Sequence, residues 1–394
     1  MKVHTDWDSL AAVRDEWDAL GIRVGGDVYT SPDYAKIWWD HYGRGELAIV
    51  EVRGRPEATG DARLLGVVPC FIERLAWAAG ARVARLITAD STIVVLSPAV
   101  EPVHAVEIWA KVLAALAERC DIICLAALDG RRRVADSVLE ASREAIPEVA
   151  TRRRGSEVHT TFVLPATFED FMQGLEKRQR TNLKRDMSLF ARQSEPEVAT
   201  ISDRDGVAES FDRFLSMHAQ QWSGEGKAGH FGDWRRATEF SIDLNRRLSE
   251  RGRVQMVRMA ASGHVIAYEW SFAYGQRGFW RLPARSVDPA FEKLGLGRLG
   301  MARMIEAMIA AGVREIEAGP GHYDYKVKHG AVETPLESIW VFQGTAANRF
   351  RAAMLAAAAD AVHLIYYRVW FRRIRARLGR GKRPIAGFWV RLRL

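Results

Sequence analysis

The sequence predicts an α/β protein of the α+β type, with two similar halves that each carry a mixed, mostly antiparallel sheet flanked by helices. Strand-length apolar runs alternate with amphipathic helical segments along the 394 residues. Thirteen tryptophans and 48% hydrophobic residues are typical of a folded chain. The segment EIWAKVLAALAERCDIICLAALDG has the same helix, turn, strand and glycine pattern as LGMARMIEAMIAAGVREIEAGPG, which indicates a duplicated architecture. We expect domains at 1–160 and 161–345 and a helical tail at 346–394.

The first half opens with helices. One is expected from Trp7 to Leu20, and a second follows in SPDYAKIWWDHY, where Ser31 can cap the helix and Pro32 can occupy its first turn. The runs ELAIVEVRG, RLLGVVPCFIERL and ARVARLIT predict strands. VHAVEIWAKVLAALAERC then predicts a helix and DIICLAAL a buried strand. EVHTTFVLP, which ends at Pro165, predicts a strand that is either the last of this half or a bridge into the next.

The second half begins with a helix that Thr167 can cap. The elements that follow read β, α, α, β, β, β, α, β, α, β, from EVATI to LESIWVFQ. Three antiparallel strands therefore come before a parallel crossover through the helix after Gly297. Strands separate at such a crossover, so a ligand can insert there.

The charge of the chain is concentrated at its end. From Ala346 to Leu394 there are twelve Arg or Lys and one acid, which gives +11, so the other residues sum to 8 − 11 = −3. A uniform surface for polyanions is therefore not indicated, and an attraction to lipid or nucleic acid is expected only in the tail.

The cysteines and the start of the chain suggest a cytoplasmic protein. The three cysteines lie in apolar stretches, which suits buried free thiols rather than a disulfide framework. The first residues, MKVHTDWDSLAAVRDEWDAL, carry acids where a secretory signal would be apolar.

Residues 317–330, EAGPGHYDYKVKHG, carry the most site-like pattern. Two glycines around Pro320 end a strand, and polar side chains follow at the mouth of the sheet. An amine that attacks a thioester must lose a proton, and the leaving thiolate must gain one. His322 is therefore a candidate base, with Tyr323 or Tyr325 as the acid.

FEKLGLGRLG, residues 291–300, places glycines immediately before a helix. Backbone N–H groups at such a turn can approach a pyrophosphate, which the positive helix end also favours. The alternative is a glycine-rich turn before a core helix. In its order of strand, glycine turn and helix, the segment resembles the GNAT superfamily of N-acetyltransferases.

Four blocks narrow this resemblance over about 160–345. EKRQRTNLKR, HAQQWSGEGKAGHF, LGLGRL and GPGHYDYKVKHG together resemble the CelD/BcsL branch, the BioF2-like acetyltransferase domain, which is related to the Fem-type aminoacyl transferases. The resemblance implies tandem GNAT-like folds, with a degenerate first fold as scaffold and a catalytic second one. It further implies acyl transfer from acyl-CoA to a primary amine, in envelope polysaccharide or secondary-metabolite biosynthesis.

The resemblance also implies a donor site. The turn from Leu294 to Arg298, with Gly295, Leu296 and Gly297, would hold the CoA pyrophosphate; its first pattern position is Glu292. Lys326 could pair with a phosphate or carboxylate.

Glu269 is a second candidate base, because a buried carboxylate on a strand of the site sheet has a raised pKa. Strand alternation leaves open that Glu269 faces outward while Tyr268 and Trp270 face inward.

Further residues are candidates for substrate binding. His218 and Trp222 lie four apart on one helix and could line an acceptor pocket, or could simply pack. Arg178 and Arg180 belong to a basic run that could hold an anionic donor or acceptor, or could be a solvated face. Asp324, in the GHYDYK motif, is a further candidate for substrate binding. No histidine and carboxylate spacing predicts a metal site.

The tail predicts an amphipathic helix that Asp360 and Arg368 interrupt, which argues against a transmembrane span. We expect residues 347–367 to pack on the catalytic domain and the rest, with Trp370 and Trp389, to contact an anionic membrane from the cytoplasmic side. RNA binding is not indicated.

Two other functions remain open. The basic run, the tail and Glu292 would suit a Fem-type enzyme whose donor is an aminoacyl-tRNA. A degenerate, non-catalytic fold that binds a partner is the third hypothesis.

Overall fold

A computed structural model describes residues 1–55, 62–88, 94–224, 229–231, 235–366 and 369. The described residues form two compact units. Among the described residues, unit 1 comprises Met1–Val158 and those from Thr334 onward, and unit 2 comprises His159–Glu333. The chain thus returns to unit 1 before the predicted domain boundary at 345.

The strands and helices are numbered in chain order. The strands are β1 (Lys2–His4), β2 (Glu46–Arg53), β3 (Leu64–Leu75), β4 (Ala81–Leu86), β5 (Ala99–Val100), β6 (Ile122–Asp129), β7 (Val149–Val163), β8 (Glu197–Ile201), β9 (Val254–Ala261), β10 (His264–Tyr274), β11 (Arg277–Arg285), β12 (Glu315–Pro320) and β13 (Ala331–Gln343). The helices are α1 (Arg14–Arg23), α2 (Pro32–Tyr42), α3 (Ala105–Ala117), α4 (Val134–Ala145), α5 (Phe168–Gly174), α6 (Lys177–Ala191), α7 (Arg204–Gly224), α8 (Ala237–Ser249), α9 (Leu296–Ala310), α10 (Asp324–Val327) and α11 (Ala346–Val362).

In unit 1 the strands lie in the order β1, β2, β3, β4, β6, β13, and β5 pairs with β3. The pairs are antiparallel except β4 with β6, which run parallel and are joined through α3. In unit 2 the order is the end of β7, from His159 onward, then β12, β11, β10, β9 and β8. Here β11 and β12 are the parallel pair, joined through α9. The predicted fold class and the repeated crossover are therefore confirmed.

Each unit is completed by a strand from elsewhere in the chain. The end of β7, which follows the first half, pairs antiparallel with β12 in unit 2, with Val163 opposite Glu315. The final strand, β13, pairs antiparallel with β6 in unit 1, with Trp340 opposite Cys124. The last strand of each crossover thus gains an antiparallel neighbour, which satisfies its outer row of backbone hydrogen bonds.

In unit 2 the sheet has helices on both faces, so both faces of β10 are buried. Met301, Met304, Ile305 and Met308 of α9 belong to one apolar cluster with Val257 and Trp280. Phe211 and Phe214 of α7 contact Trp270, whose side chain points to the opposite face from that of Glu269. The apolar run therefore predicts β10 but not which of its two faces meets α9 and which meets α7.

Helix α11 packs in unit 1, whereas the sequence predicted that it would pack on the second half, the candidate catalytic domain. Leu355, Ala356 and Ala359 are buried with Trp340 and other residues of the unit 1 sheet. The reason is that β13, which leads into α11, is a strand of that sheet. Of the tail predictions, those at Arg368, Trp370 and Trp389 lie outside the described residues. None of the helices among the described residues is long and apolar enough to cross a membrane.

The three cysteines are free thiols, as expected. Cys70 and Cys124 are buried, and Cys120 is partly buried. Burial raises the pKa of each thiol well above its usual range. These thiols are therefore poor nucleophiles near neutral pH.

A pair of leucine truncations tests the packing of α11. Leu355 is fully buried, whereas Leu364 is 52% exposed. We expect Leu355→Ala to lower the free energy of unfolding by about 2–5 kcal/mol through lost burial and a residual cavity. Leu364→Ala should change it by less than about 0.5 kcal/mol. Urea unfolding followed by tryptophan fluorescence measures both, and equal small effects would contradict this packing.

Candidate active site

Glu269, at the centre of β10, is the most unusual ionisable group in unit 2. Its side chain is 1% exposed. Its Oε2 accepts a hydrogen bond from Trp280 Nε1 at 2.8 Å, and Arg285 Nη2 lies 3.6 Å from Oε1. Oε1 itself has no hydrogen-bond partner among the described residues. Burial raises the pKa of Glu269 to about 7, although Arg285 and Trp280 oppose the rise. Both protonation states are therefore populated near neutral pH.

A β-bulge brings Trp280 to this carboxylate. Pro283 lies opposite Glu269 in the register of β10 with β11, and the register then shifts so that Trp280 lies opposite Ser271. Without the shift, Arg281 would occupy that place. Arg281 instead lies over the ring of Trp270, 5.7 Å from its centroid, on the other face.

Helix α9 approaches this part of the sheet closely because its contact residue is a glycine. A Cβ at Gly300 would lie 2.3 Å from Glu269 Oε1. Any larger residue would displace the carboxylate or the helix. Gly300 therefore fixes the distance between α9 and β10.

Arg285 joins the glycine turn to Glu269. A Cβ at Gly297, in the first turn of α9, would lie 3.6 Å from Arg285 Nε and Cζ. The Nε atom is buried and has no hydrogen-bond partner in the described chain. The backbone N–H of Arg285 donates to Gln221 Oε1 at 3.0 Å, which fixes the end of β11. The Arg285 guanidinium thus lies between the start of α9 and a carboxylate oxygen, Glu269 Oε1, that accepts no hydrogen bond in the described chain.

The predicted pyrophosphate turn is a helix start rather than an open loop. A 3-10 helix, Pro289–Leu294, leads into Gly295, whose φ of 62° suits glycine, and α9 then begins at Leu296. No side chain caps this helix end. The side chains of Leu294 and Leu296 are buried, so only backbone groups there could meet a ligand. The first-position residue Glu292 is exposed.

An ion pair from α6 supports this helix start. Asp186 is fully buried and accepts from Arg298, with Nη2 2.6 Å and Nε 2.8 Å from Oδ2. A Cβ at Gly295 would lie 2.4 Å from the same Oδ2, so the turn needs glycine for space as well as for its dihedral angle. The basic helix α6 therefore contributes its one buried acid to the candidate donor site.

Lys326 occupies the point where β11 and β12 separate. Their pairing ends at Phe279 with Glu317, and the Lys326 ammonium donates to the next carbonyl, that of Ala318. Nζ also lies 4.4 Å from the ring centroid of Tyr323 and 5.3 Å from that of Trp280. Burial lowers the pKa of Lys326 to about 8, and Glu317 opposes the fall.

The predicted acids and bases of the motif are divided between the site and the surface. The ring of Tyr325 packs edge-on against Trp280 with centroids 6.4 Å apart, although the residue is 42% exposed, and partial desolvation raises the pKa of its phenol. The ring centroid of Tyr323 lies 5.9 Å from that of Tyr325. His322 is exposed instead, and its ring nitrogens contact Glu333 at 2.6 Å and Asp324 at 3.1 Å. These carboxylates raise the pKa of His322, which favours an imidazolium that cannot accept a proton.

The predicted acceptor residues are not brought to Glu269. His218 is buried in an aromatic cluster, with ring centroids of Phe214, Trp222, His230 and Phe231 within 5.2 to 5.8 Å. Through Phe214 this cluster joins Trp270, on the face of the sheet opposite Glu269. Burial lowers the pKa of His218 to about 4, so the ring is neutral. Arg178 is exposed, and Arg180 donates to the carbonyl of Gln173 at 3.0 Å.

Four residues near the site are absent from the sequence prediction: Trp280, Arg285, Gly300 and His329. Gly300 lies in the motif FEKLGLGRLG, and His329 lies in the motif GPGHYDYKVKHG. The proximity of Trp280 and Arg285 to Glu269 depends on the strand register and its bulge, so it cannot be predicted from their positions in the sequence. Among the described residues no group of His, Cys, Asp or Glu could hold a metal ion.

The contact between Gly300 and Glu269 predicts that Gly300→Ala changes stability in opposite directions with and without the Glu269 side chain. In the wild type, Gly300→Ala should lower the free energy of unfolding by about 1–3 kcal/mol, because the carboxylate must move. In a Glu269→Ala background the clash is gone, and the same change should stabilise α9 by up to about 1 kcal/mol through helix propensity. A double-mutant cycle from urea unfolding measures this coupling. Additive effects would contradict the contact.

Comparison with known proteins gives a family match for part of the chain. Residues 177–327 match the model of the acetyltransferase (GNAT) domain. This segment lies within unit 2. No curated protein matches the sequence significantly.

Solved structures resemble the chain over most of its length. FemX aligns with a TM-score of 0.60 at 11% identity and covers 87% of this chain and 98% of its own. A conserved protein of unknown function from Bacteroides thetaiotaomicron aligns with a TM-score of 0.51 at 14% identity, over 87% of this chain and 99% of its own. At such identities the likeness shows the fold alone. The chain therefore has a FemX-like tandem fold, and its segment 177–327 matches the GNAT acetyltransferase domain.

Proposed function

We propose that this protein is an N-acyltransferase that moves an acyl group from an acyl-CoA to a primary amine by direct attack. The observation that carries the proposal is Glu269, a fully buried carboxylate of which one oxygen accepts no hydrogen bond within the described chain. Its neighbours are Arg285 and the first turns of α9. Buried carboxylates with a pKa near 7 suit general base catalysis.

The chain offers groups for both proton transfers. The attacking nitrogen forms a C–N bond with the thioester carbonyl, and the C–S bond breaks. Glu269 takes the proton that the amine loses. Tyr325, whose raised pKa keeps its phenol protonated, returns a proton to the departing thiolate. In this proposal His322 stays at the surface and takes no part in the chemistry.

The start of α9 is the proposed donor site. Backbone N–H groups of the turn that ends at Gly297, with no side-chain cap, can donate hydrogen bonds to a pyrophosphate, and the helix dipole adds partial positive charge. The Arg298 N–H already donates to the Gly295 carbonyl at 2.9 Å. The Arg285 guanidinium lies against Gly297, so it adds a full charge at the same place. The substrate fits this turn because Gly297 has no side chain to block it. Lys326 is proposed to act at the strand separation, as a donor to a carbonyl of the substrate.

The acceptor and the setting are proposals from the sequence. The acceptor class is a primary amine on a small molecule, glycan or peptide, in envelope polysaccharide or secondary-metabolite synthesis. His218, Trp222 and Asp324 stay candidates for its binding. The expected site of action is the cytoplasm, with the basic tail at the inner face of the membrane; most of that tail lies outside the described residues.

One observation favours an aminoacyl-tRNA donor as the second candidate. Lys177, Arg178 and Lys184 of α6 are exposed and form no ion pair among the described residues. Such unpaired cations attract phosphates. The donor experiment below separates the two candidates.

Calorimetric titration with CoA and acetyl-CoA tests the donor site. We expect micromolar binding by the wild type and at least about tenfold weaker binding by Gly297→Val, because its side chain would occupy the pyrophosphate position. The first atom of that side chain meets Arg285 only at ordinary contact distance, so the fold should tolerate it. Gly174→Ala, where nothing lies within 4 Å of the new atom, is the matched control.

The titration has three informative outcomes. Binding that Gly297→Val removes and Gly174→Ala retains supports the proposed donor site. If the wild type and Gly297→Val bind CoA equally well, the donor does not bind at the start of α9. Failure of any thioester to bind, with binding of aminoacyl-tRNA, would replace the first candidate by the second.

A Glu269→Gln variant tests the proposed base. The amide keeps the size of the side chain and can still accept from Trp280, so donor affinity should stay within about threefold while kcat falls by about 10² to 10⁴. In the wild type, kcat/KM should rise about tenfold per pH unit below the Glu269 pKa of about 7 and level off above it, because only the carboxylate accepts a proton.

The residual activity of Glu269→Gln should lack this rise of kcat/KM with pH below about pH 7, which is the acid limb of the profile. Glu306→Gln is the control: this half-buried residue on α9 pairs with Arg303 at 2.7 Å, and the change should keep both the rate and the pH dependence. The rates are measured by acetylation of a panel of amines, with the release of the CoA thiol as the signal. A wild-type limb that persists unchanged in Glu269→Gln would assign the base to another group.

A further inference from the structure

The outward face of α11 is apolar, although surface helices usually turn polar residues to solvent. The inward face of this helix packs into the core of unit 1 through Leu355 and its neighbours. The outward positions follow one another at helical spacings of three and four and continue into the helical turn after α11. We call this row of exposed apolar residues the α11 stripe: Phe350, Ala353, Ala357, Ala361, Leu364 and Ile365.

The large side chains of the α11 stripe are well exposed. Phe350 is 60% exposed, Leu364 52% and Ile365 60%. Asp360, which flanks the stripe on the same helix, forms an ion pair with Arg154, so it places no unbalanced negative charge there. Single exposed apolar residues are ordinary on a protein surface, whereas a row of them on one helix face marks a contact surface.

The charge of the adjoining sequence identifies the partner. Residues 368–394 contain ten Arg or Lys and no Asp or Glu. So many like charges oppose the approach of a second copy of this chain. Nucleic acid matches the charge but not an apolar stripe, since nucleic-acid interfaces are polar and basic. An anionic lipid surface matches both, because apolar side chains enter the acyl boundary while cations meet the headgroups.

We propose that the α11 stripe is a membrane-contact surface that enters the headgroup region of an anionic bilayer. The basic sequence after it supplies the electrostatic attraction. Helix α11 then has two partners, the core of unit 1 on one side and lipid on the other. This inference goes beyond the proposed acyl transfer, and it assigns the lipid contact to a surface of the described chain rather than to the basic tail alone.

Cosedimentation of the full chain with lipid vesicles tests this surface. We expect the wild type to bind vesicles of phosphatidylcholine with about 30% phosphatidylglycerol at least about tenfold more strongly than phosphatidylcholine alone. A double variant, Phe350→Ser with Ile365→Ser, should bind the anionic vesicles at least about tenfold more weakly, because it removes apolar surface from the contact.

The matched control is Val103→Ser. Val103 is 86% exposed and lies in the 3-10 turn Pro102–His104, outside the stripe. This variant should bind both kinds of vesicle as the wild type does. Because all of these positions are exposed, the urea midpoint of each variant should stay close to that of the wild type.

A labelled cysteine tests the contact even if the double variant does not fold. The native thiols are buried or partly buried, so a thiol-reactive NBD fluorophore selects the new side chain of Phe350→Cys. On addition of anionic vesicles its emission should shift to shorter wavelength and resist quenching by iodide. The same label on Val103→Cys should not respond, and a label at 350 that stays quenched would contradict the inference.

The outcomes separate the lipid contact from other occupants and from the proposed function. Anionic vesicles that bind the double variant as well as the wild type would assign the contact to the basic sequence alone and overturn the inference, as would a wild type that does not bind them. A dimer that the double variant converts to monomer without lipid, seen by light scattering, would assign the stripe to a second copy. None of these measurements needs an acyl donor, so the CoA titration can fail while this inference stands, and the reverse.

Discussion

The contact of Gly300 with Glu269 determines how α9 lies on the sheet of unit 2. With hydrogen in place of a side chain, the helix covers the carboxylate and removes it from water, which raises its pKa to about 7. The same approach brings Gly297 to Arg285 and gives the start of the helix a nearby cation. One close contact thus positions the candidate base and the candidate donor turn together.

The parallel crossover explains why polar groups collect beside this contact. Strands β11 and β12 pair over only three residues, so backbone groups beyond Phe279 and Glu317 need other partners. Lys326 takes the carbonyl of Ala318, and the rings of Trp280, Tyr323 and Tyr325 surround its ammonium. Burial of a cation among aromatic rings and one carbonyl lowers its pKa, which makes this lysine unusual within the same site.

Several parts of the site follow from local sequence and several do not. Gly295 needs a positive φ and stands before a helix, which the pattern GLG indicates directly. Glu269 interrupts an apolar strand, which also is visible in the sequence. His322, in contrast, has the residue type of a base, but Glu333 and Asp324 hold it at the surface. Trp280 reaches Glu269 only because a bulge shifts the register by one residue, and no local pattern predicts that bulge.

The sequence by itself determined the order of the longer strands and of most helices, and the two similar crossovers, because hydrophobic periodicity, glycines and helix caps act over a few neighbouring residues. It did not predict β1, β5 or α4. Only the tertiary structure decided that β7 completes unit 2, that β13 and α11 belong to unit 1, and which face of β10 meets α9. These outcomes depend on pairing and burial between residues far apart in the chain. A buried strand looks the same from the sequence whichever neighbour it pairs with, so its partners are set by the packing of the whole unit.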